Sequence, residues 1–181
     1  MTARWTAFLD GAARLSAQQW LLRAGAPVGA GLVLLLHHGA GGAVQPWFLG
    51  LTLAQALLVA ALPDSSAGLF LVLLLGVHWA LYVPDGATLT PWSLAAALVL
   101  LAMHLAVTLA TYGPPSLMLP GHLVLRWVRR GLGVAGGTVA VWLLARFFPA
   151  WPGTAAWAAG IGLALVLAWV LWLTRQLGPR G

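Results

Sequence analysis

Apolar residues fill six stretches of this chain, and short breaks containing proline, glycine or aspartate separate them. A helix that crosses a bilayer needs about 20 predominantly apolar residues, within a range of about 17–25. The breaks suit turns because proline cannot continue a helix and glycine or aspartate tolerates turn dihedral angles. The pattern therefore predicts an all-α polytopic integral membrane protein with six transmembrane helices, at residues 24–44, 46–62, 67–83, 91–112, 131–148 and 154–174.

The first of these helices has two interpretations. Its second half is interrupted by His37, His38 and several glycines, so the helix either continues to residue 44 or stops near His38 and leaves a glycine loop. Residues 4–23 place most apolar side chains on one side at about 100° per residue. We expect 1–23 to be a cytoplasmic, interfacial amphipathic segment, the alternative being a short solvated arm. Residues 24–174 would form the transmembrane domain and 175–181 a short cytoplasmic tail.

Composition supports the membrane assignment. Hydrophobic residues make up 61% of the chain and charged residues only 7%, whereas a soluble domain carries about 25% charged residues. The net charge of +6 comes from nine arginines against three aspartates. The arginines are too few and too clustered to line a nucleic-acid-binding groove, and no nucleic-acid-binding motif is present. The absence of cysteine excludes disulfides, thiolate metal sites and cysteine nucleophiles. The first 23 residues lack the continuous apolar run of a cleavable signal peptide.

The arginines predict the orientation, because positive residues near helix ends stay cytoplasmic. With six spans and a cytoplasmic N-terminus, eight of the nine arginines lie on the cytoplasmic side of the membrane. We therefore expect a protein of the inner (cytoplasmic) membrane with both its N-terminus and its C-terminus in the cytoplasm. Tryptophans near both predicted boundaries fit the interfacial preference of indole. Arg146 is the exception, and it either snorkels to the outer interface or contacts another subunit.

A basic row lies between the fourth and fifth predicted helices, in the sequence HLVLRWVRR. If this loop region is helical, His122, Arg126, Arg129 and Arg130 share one face, because they are spaced i, i+4, i+7 and i+8. The row either sets the topology and binds anionic phospholipid, or it docks an acidic protein partner. Both interpretations stay open from the sequence.

Histidines are the ionisable groups inside the predicted spans, at positions 37, 38, 78 and 104. No carboxylate accompanies them, which disfavours a proton pump or cation-coupled transporter. His78 and His104 differ in predicted depth by roughly 10 Å, which argues against their binding one haem. His37, His38 and His78 share the outer half and are a possible metal or haem site. Because a neutral histidine bonded to a carbonyl is more common, we expect no cofactor.

No enzyme motif is present, including the nucleophile elbow, the zinc-protease helix and the phosphate-binding loop, so we expect no catalytic residues and no enzymatic activity. Small residues allow helices to approach closely in a membrane. The predicted fifth and sixth spans contain glycines that suit this role, namely Gly131, Gly133, Gly136, Gly137, Gly160 and Gly162.

The run LPDSSAGLFLVLLLGVHWALYVPDG, residues 62–86, is followed by TPW and then by RWVRR. In this layout, which covers most of the chain, the protein resembles small polytopic membrane proteins of actinobacteria, some of them encoded beside MoxR-type AAA+ ATPases. The resemblance implies a membrane subunit of an envelope-associated assembly, and it carries over no catalytic residue.

Three functions follow as hypotheses. The first is a non-catalytic accessory or scaffold subunit of a membrane complex, which docks protein partners through transmembrane helices and the basic row. The second is a small-solute transporter or channel, suggested by the glycine-rich fifth span and the outer histidines. The third is a haem- or metal-binding membrane redox protein, suggested by the outer histidines.

Overall fold

The structure is a computed structural model that describes residues 15–84, 89–112 and 116–147. These residues are helical, without a strand, which confirms the predicted all-α class. The helices are α1 (Ala17–Gly39), α2 (Pro46–Ala61), α3 (Ala67–Tyr82), α4 (Pro91–Ala110) and α5 (Gly121–Phe147). The chain divides into two compact units, Met1–Ala135 and Gly136–Gly181. The first contains α1–α4 and the start of α5.

The helix starts follow from capping chemistry. Ser16 precedes α1, and its Oγ accepts a 3.2 Å hydrogen bond from the Gln19 backbone N–H. Pro46 and Pro91 occupy the first positions of α2 and α4, where the missing N–H of proline has no helical acceptor to lose. The predicted spans therefore begin at the correct residues for α2, α3 and α4.

α1 differs from its predicted span at both ends. It stops at Gly39, so the interpretation in which the helix ends near His38 is correct and its continuation to residue 44 is wrong. Gly41 adopts a φ of 85°, a left-handed conformation that glycine reaches without a steric penalty, and turns the chain toward α2. At the other end α1 begins at Ala17, so residues 17–23 of the predicted interfacial segment belong to the same helix as the first span.

α5 is longer than the predicted fifth span. It begins at Gly121, ten residues before residue 131, and it includes the basic row, so the connection between the fourth and fifth spans is helical here and the helical interpretation of the row is correct. Residues 1–14 of the predicted interfacial segment, the sixth predicted span and the C-terminal tail lie outside the described residues.

Helices α1 and α4 pack antiparallel along their length. Gly25, in the first half of α1, faces Ala106 in the second half of α4, whereas Gly39 at the end of α1 lies against Trp92 at the start of α4. α2 and α3 also run antiparallel, because a tight turn at residues 62–66 joins them. As a result, the two ends of the α1–α4 bundle carry different groups of side chains.

The bundle exposes large aliphatic side chains and buries several polar ones. Leu35, Leu57 and Leu81 are 68%, 63% and 70% exposed, whereas the interior includes small residues such as Ala26 and Ala56. The buried polar side chains are Gln19, His37, Thr52 and His78. Among the described helices, α1 and α4 are long and apolar enough to cross a membrane, and α2 and α3 are shorter apolar helices. These features point to association with a membrane.

Candidate functional site

Two histidines meet at one end of the bundle, where α1 and α3 end and α2 begins. His37 lies in the last turn of α1 and His78 in the last turns of α3, and both side chains are buried, at 1% and 4% exposure. Their ring centroids lie 4.7 Å apart, with the ring planes inclined at 57°. We call the group formed by His37, His78 and their neighbours Gln45, Phe48 and Trp79 the histidine cluster.

Aromatic rings surround this pair. Phe48, in the first turn of α2, stacks on His78 with a centroid distance of 3.7 Å and an interplanar angle of 21°. Trp79 meets the His37 ring in a T-shaped contact at 5.5 Å. Tyr82, one turn after His78 in α3, lies 4.7 Å from the His78 ring. The imidazole groups therefore lie in a largely apolar environment at one end of the bundle.

The two imidazoles differ in their hydrogen bonds. His78 Nε2 lies 3.3 Å from Oε1 of Gln45, the residue that caps α2. Because that oxygen only accepts, Nε2 carries the proton and Nδ1 of neutral His78 keeps its lone pair. Neither Nδ1 nor Nε2 of His37 has a hydrogen-bond partner among the described residues.

Gly42 closes over the His37 ring. Its backbone N–H donates a 2.9 Å bond to the His37 carbonyl oxygen. A Cβ at position 42 would overlap the His37 ring, at 2.5 Å from Nδ1 and 2.6 Å from Nε2. A side chain at position 42 would therefore force the His37 ring to move, because the loop passes close to the nitrogen-bearing edge of the imidazole.

The structure brings together two of the four predicted membrane histidines. His38, the neighbour of His37, is exposed, and so is His104 on α4. The possible trio of His37, His38 and His78 therefore does not form. Within residues 15–84, 89–112 and 116–147, no group of three or more histidine, cysteine or acidic side chains could hold a metal ion.

The basic row forms an exposed face at the start of α5. His122, Arg126 and Arg129 are exposed, and Arg130 is half-buried with its guanidinium 5.2 Å from the Trp127 ring centroid. We call these four side chains, His122, Arg126, Arg129 and Arg130, the basic face. No ion pair is formed by these arginines with any part of the chain that the structure describes.

Two contacts orient this face. The Trp127 ring lies 5.7 Å from that of Tyr112, and the buried Gly131, one turn later, packs against the Leu105 side chain of α4. Because residues 127 and 131 lie on one side of α5, Arg126 and Arg129 point away from α4. A side chain at position 131 would overlap the end of the Leu105 side chain, so the absence of a side chain at Gly131 permits this contact.

Five other glycines of α5 and of the predicted sixth span are the remaining packing candidates. A Cβ at Gly136 would meet open space, Gly133 and Gly137 are half-buried, and Gly160 and Gly162 lie outside the described residues. Gly25 and Gly29 of α1 lie at a close approach of α1 to Ala106 and Met103 of α4. Their spacing is a small-xxx-small pattern that was visible in the sequence and was missed.

The end opposite the histidine cluster contains a second polar group that the sequence did not reveal. The Arg23 guanidinium donates hydrogen bonds of 3.1 and 3.3 Å to the carbonyl oxygens of Ala60 and Ala61, which are left free at the end of α2. The Gln18 side-chain oxygen accepts a 2.7 Å bond from the Leu119 backbone N–H, in the segment before α5. The start of α1 therefore lies beside the end of α2 and the segment that leads to the basic face.

Comparison of the chain with protein-family models, curated proteins and solved structures gave no match.

Proposed function

We propose that this protein is a non-catalytic accessory or scaffold subunit of a membrane complex, and that its basic face docks an acidic partner protein. The observation that carries the proposal is the exposed basic face itself. It combines three exposed cationic or titratable side chains with no acidic partner among the described residues, on a helix start where Trp127 contacts Tyr112 and Gly131 contacts Leu105.

The bundle supplies the membrane anchor for this function. The large exposed side chains of α1, α2 and α3 are mostly aliphatic, which matches a hydrocarbon solvent better than water. We propose six transmembrane helices, with the described α1–α5 as five of them and residues 154–174 as the sixth.

Charge placement supports a cytoplasmic location of the basic face. Arg23 and the three arginines of the basic face lie toward the bundle end where α1 starts and α2 ends. The described segments at the histidine end, residues 37–48 and 78–84, contain no arginine. Because cytoplasmic helix ends carry the excess of positive charge, the α1 start and both termini would be cytoplasmic in the inner membrane.

The nature of the partner follows from the charge of the basic face. An acidic patch on a cytoplasmic protein would pair with Arg126 and Arg129, and arginine favours planar, bidentate contacts to carboxylates. The resemblance to proteins encoded beside MoxR-type ATPases is consistent with such a soluble partner. Anionic phospholipid is the competing ligand of the same charges.

Charge reversal separates these possibilities. The tagged chain would be purified from its native membrane in mild detergent, and co-purifying proteins and phospholipids would be quantified. We expect a stoichiometric partner that is lost in the Arg126→Glu/Arg129→Glu variant. Arg130 is left unchanged because it packs on Trp127.

The matched control is Arg146→Glu, which reverses an exposed arginine of α5 outside the basic face. It should retain the partner. Retention of the partner by the double variant, or recovery of wild-type protein with anionic lipid and no partner, would contradict docking and reduce the basic face to a lipid anchor.

A further inference from the structure

A groove lies on the exposed surface of the bundle between α2 and α3, with a volume of about 690 Å³. One wall runs along α2 from Leu51 to Leu62, and the other runs along α3 from Ser66 to Val77. Each wall includes lining residues spaced i, i+4, i+7 and i+11, which is one face of a helix. We call this feature the α2–α3 groove.

The α2–α3 groove is apolar along its length and polar at one end. Large apolar side chains such as Leu58, Phe70 and Leu73 line it and are exposed. Ser65 and Ser66 line the end at which the turn joins the two helices. This polarity suits an elongated molecule that has an apolar chain and a polar group at one end.

The length of the groove favours a lipid acyl chain over a helix. Each wall advances by eleven residues, from Leu51 to Leu62 and from Ser66 to Val77, which is about 16 Å at a rise of about 1.5 Å per residue. The hydrocarbon core of a bilayer is about 30 Å thick, so the groove has the depth of one leaflet. A transmembrane helix of a partner or of a second copy would need a surface about twice as long.

The polar end has the donors that a phosphate group needs. Ser65 Oγ accepts a 3.3 Å hydrogen bond from the Ala67 N–H, whereas the Ser66 side chain makes no capping bond. The N–H groups of Gly68 and Leu69, in the first turn of α3, have no acceptor among the described residues. Free N–H groups and the helix dipole together attract phosphate to the start of a helix.

Two charged side chains at the same end specify the headgroup further. The Arg23 guanidinium donates hydrogen bonds to the last carbonyl oxygens of α2, directly before Leu62 of the groove, and adds positive charge there. Asp64 is exposed in the turn between Leu62 and Ser66. Its carboxylate disfavours a headgroup of net negative charge and favours one that carries an ammonium group beside the phosphate.

We infer that the α2–α3 groove binds one phosphatidylethanolamine molecule of the cytoplasmic leaflet. An acyl chain lies between α2 and α3, the phosphate lies at the start of α3, and the ammonium group pairs with Asp64. The acyl chain supplies van der Waals contacts that an empty groove would lack. The inference uses the proposed membrane topology, and it is independent of partner docking by the basic face.

Lipid titration tests the groove. Delipidated full-length protein in detergent would be titrated separately with phosphatidylethanolamine, phosphatidylcholine and phosphatidylglycerol of identical acyl chains, and bound lipid would be counted by native mass spectrometry. We expect one phosphatidylethanolamine per chain, bound about 3- to 5-fold more tightly than the other two lipids, the effect of one exposed ion pair. Choline lacks the N–H donors, and glycerol lacks the positive charge.

Matched variants separate the acyl chain from the headgroup. Leu58→Trp fills the groove and should lower the affinity for phosphatidylethanolamine about 10-fold. Leu57→Trp is the control, because Leu57 is exposed on α2 outside the groove lining. Asp64→Asn should abolish the preference for phosphatidylethanolamine but retain phospholipid binding. The Arg126→Glu/Arg129→Glu variant should keep the groove lipid, so a failure of docking and a failure of this inference are distinguishable.

Photocrosslinking of the wild type avoids any dependence on the folding of variants. The protein would be placed in phosphatidylcholine nanodiscs that contain phosphatidylethanolamine with a diazirine midway along one acyl chain. Crosslinks concentrated on residues 51–62 and 66–77, and suppressed by unlabelled phosphatidylethanolamine, would support the site.

Three results would overturn the inference. The first is crosslinking spread over exposed aliphatic side chains elsewhere, such as Leu35 of α1, since it would indicate bulk lipid only. The second is equal lipid binding by the Leu57→Trp and Leu58→Trp variants. The third is a dimer that dissociates in Leu58→Trp, which would assign the groove to a second copy of the chain.

Discussion

Gly25 of α1 and Ala106 of α4 lie in direct contact, and a Cβ on Gly25 would be 2.7 Å from the Ala106 Cβ. One turn later the same relationship recurs, because a Cβ on Gly29 would lie 2.9 Å from the Cβ of Met103. Van der Waals contact between closely spaced backbones is a main source of helix association in lipid. The α1–α4 pair is therefore the structural basis of the bundle.

Replacing Gly25 should weaken this pair. We expect Gly25→Leu to lower the thermal unfolding midpoint in detergent, since overpacking a close contact costs about 1–3 kcal/mol. Gly31→Leu is the matched control, because no atom lies within 4 Å of a Cβ at Gly31 of the same helix. Equal destabilisation by both substitutions would show that helix propensity, and not the α1–α4 contact, controls stability.

Arg23 should stabilise the end of α2. Arg23→Met removes the hydrogen bonds to the carbonyl oxygens of Ala60 and Ala61, and we expect a loss of about 1–2 kcal/mol because the donor is charged but partly exposed. Arg126→Met removes an exposed arginine without such bonds and should change stability by less than about 0.5 kcal/mol. Chemical denaturation in mixed micelles would measure both, and a neutral Arg23→Met would refute the capping role.

The neighbouring Gln18 and Gln19 should respond in opposite directions. Gln19 is fully buried, and both polar atoms of its amide lack a partner within the described residues, so Gln19→Leu should raise stability by about 1–2 kcal/mol. Gln18 accepts the 2.7 Å bond from the Leu119 N–H, so Gln18→Leu should lower stability. Thermal melts of the two variants would check the signs, and destabilisation by Gln19→Leu would reveal a partner for the buried amide.

The absence of cysteine allows a direct test of orientation. Single cysteines at the exposed positions Ala43 and Leu89 should react with a membrane-impermeant maleimide in intact cells. Cysteines at the exposed positions Ser65 and Ser116 should react only after the membrane is opened, because the proposed topology places the α2–α3 and α4–α5 connections in the cytoplasm. The reverse pattern of labelling would show that the orientation is opposite to the proposed one. Equal labelling of all four positions in intact cells would contradict the proposed membrane crossings between them.

Much of the helical layout could be predicted from local sequence. Proline at Pro46 and Pro91 marks two helix starts, and the turn residues 62–66 separate α2 from α3 as expected. The apolar run predicts the membrane-spanning part of α5 from residue 131, but whether the preceding arginine-containing residues continue that helix could not be decided from hydropathy. In the continuous helix Trp127 contacts Tyr112 and Gly131 contacts Leu105 of α4, while Arg126 and Arg129 face away from these contacts.

The chain's apolar composition and its turn residues were sufficient to establish the all-α class and the positions of most helices. Where a helix forms and where it is interrupted depends on residues that are close together in the sequence. The sequence also picked out the basic row, because its charges recur at helical spacing. Sequence could not tell which histidines meet, since α3 is apolar on almost every side and its periodicity does not fix its rotation. Tertiary packing decided that His37 joins His78 while His38 and His104 stay exposed, because those pairings depend on how the helices rotate against one another.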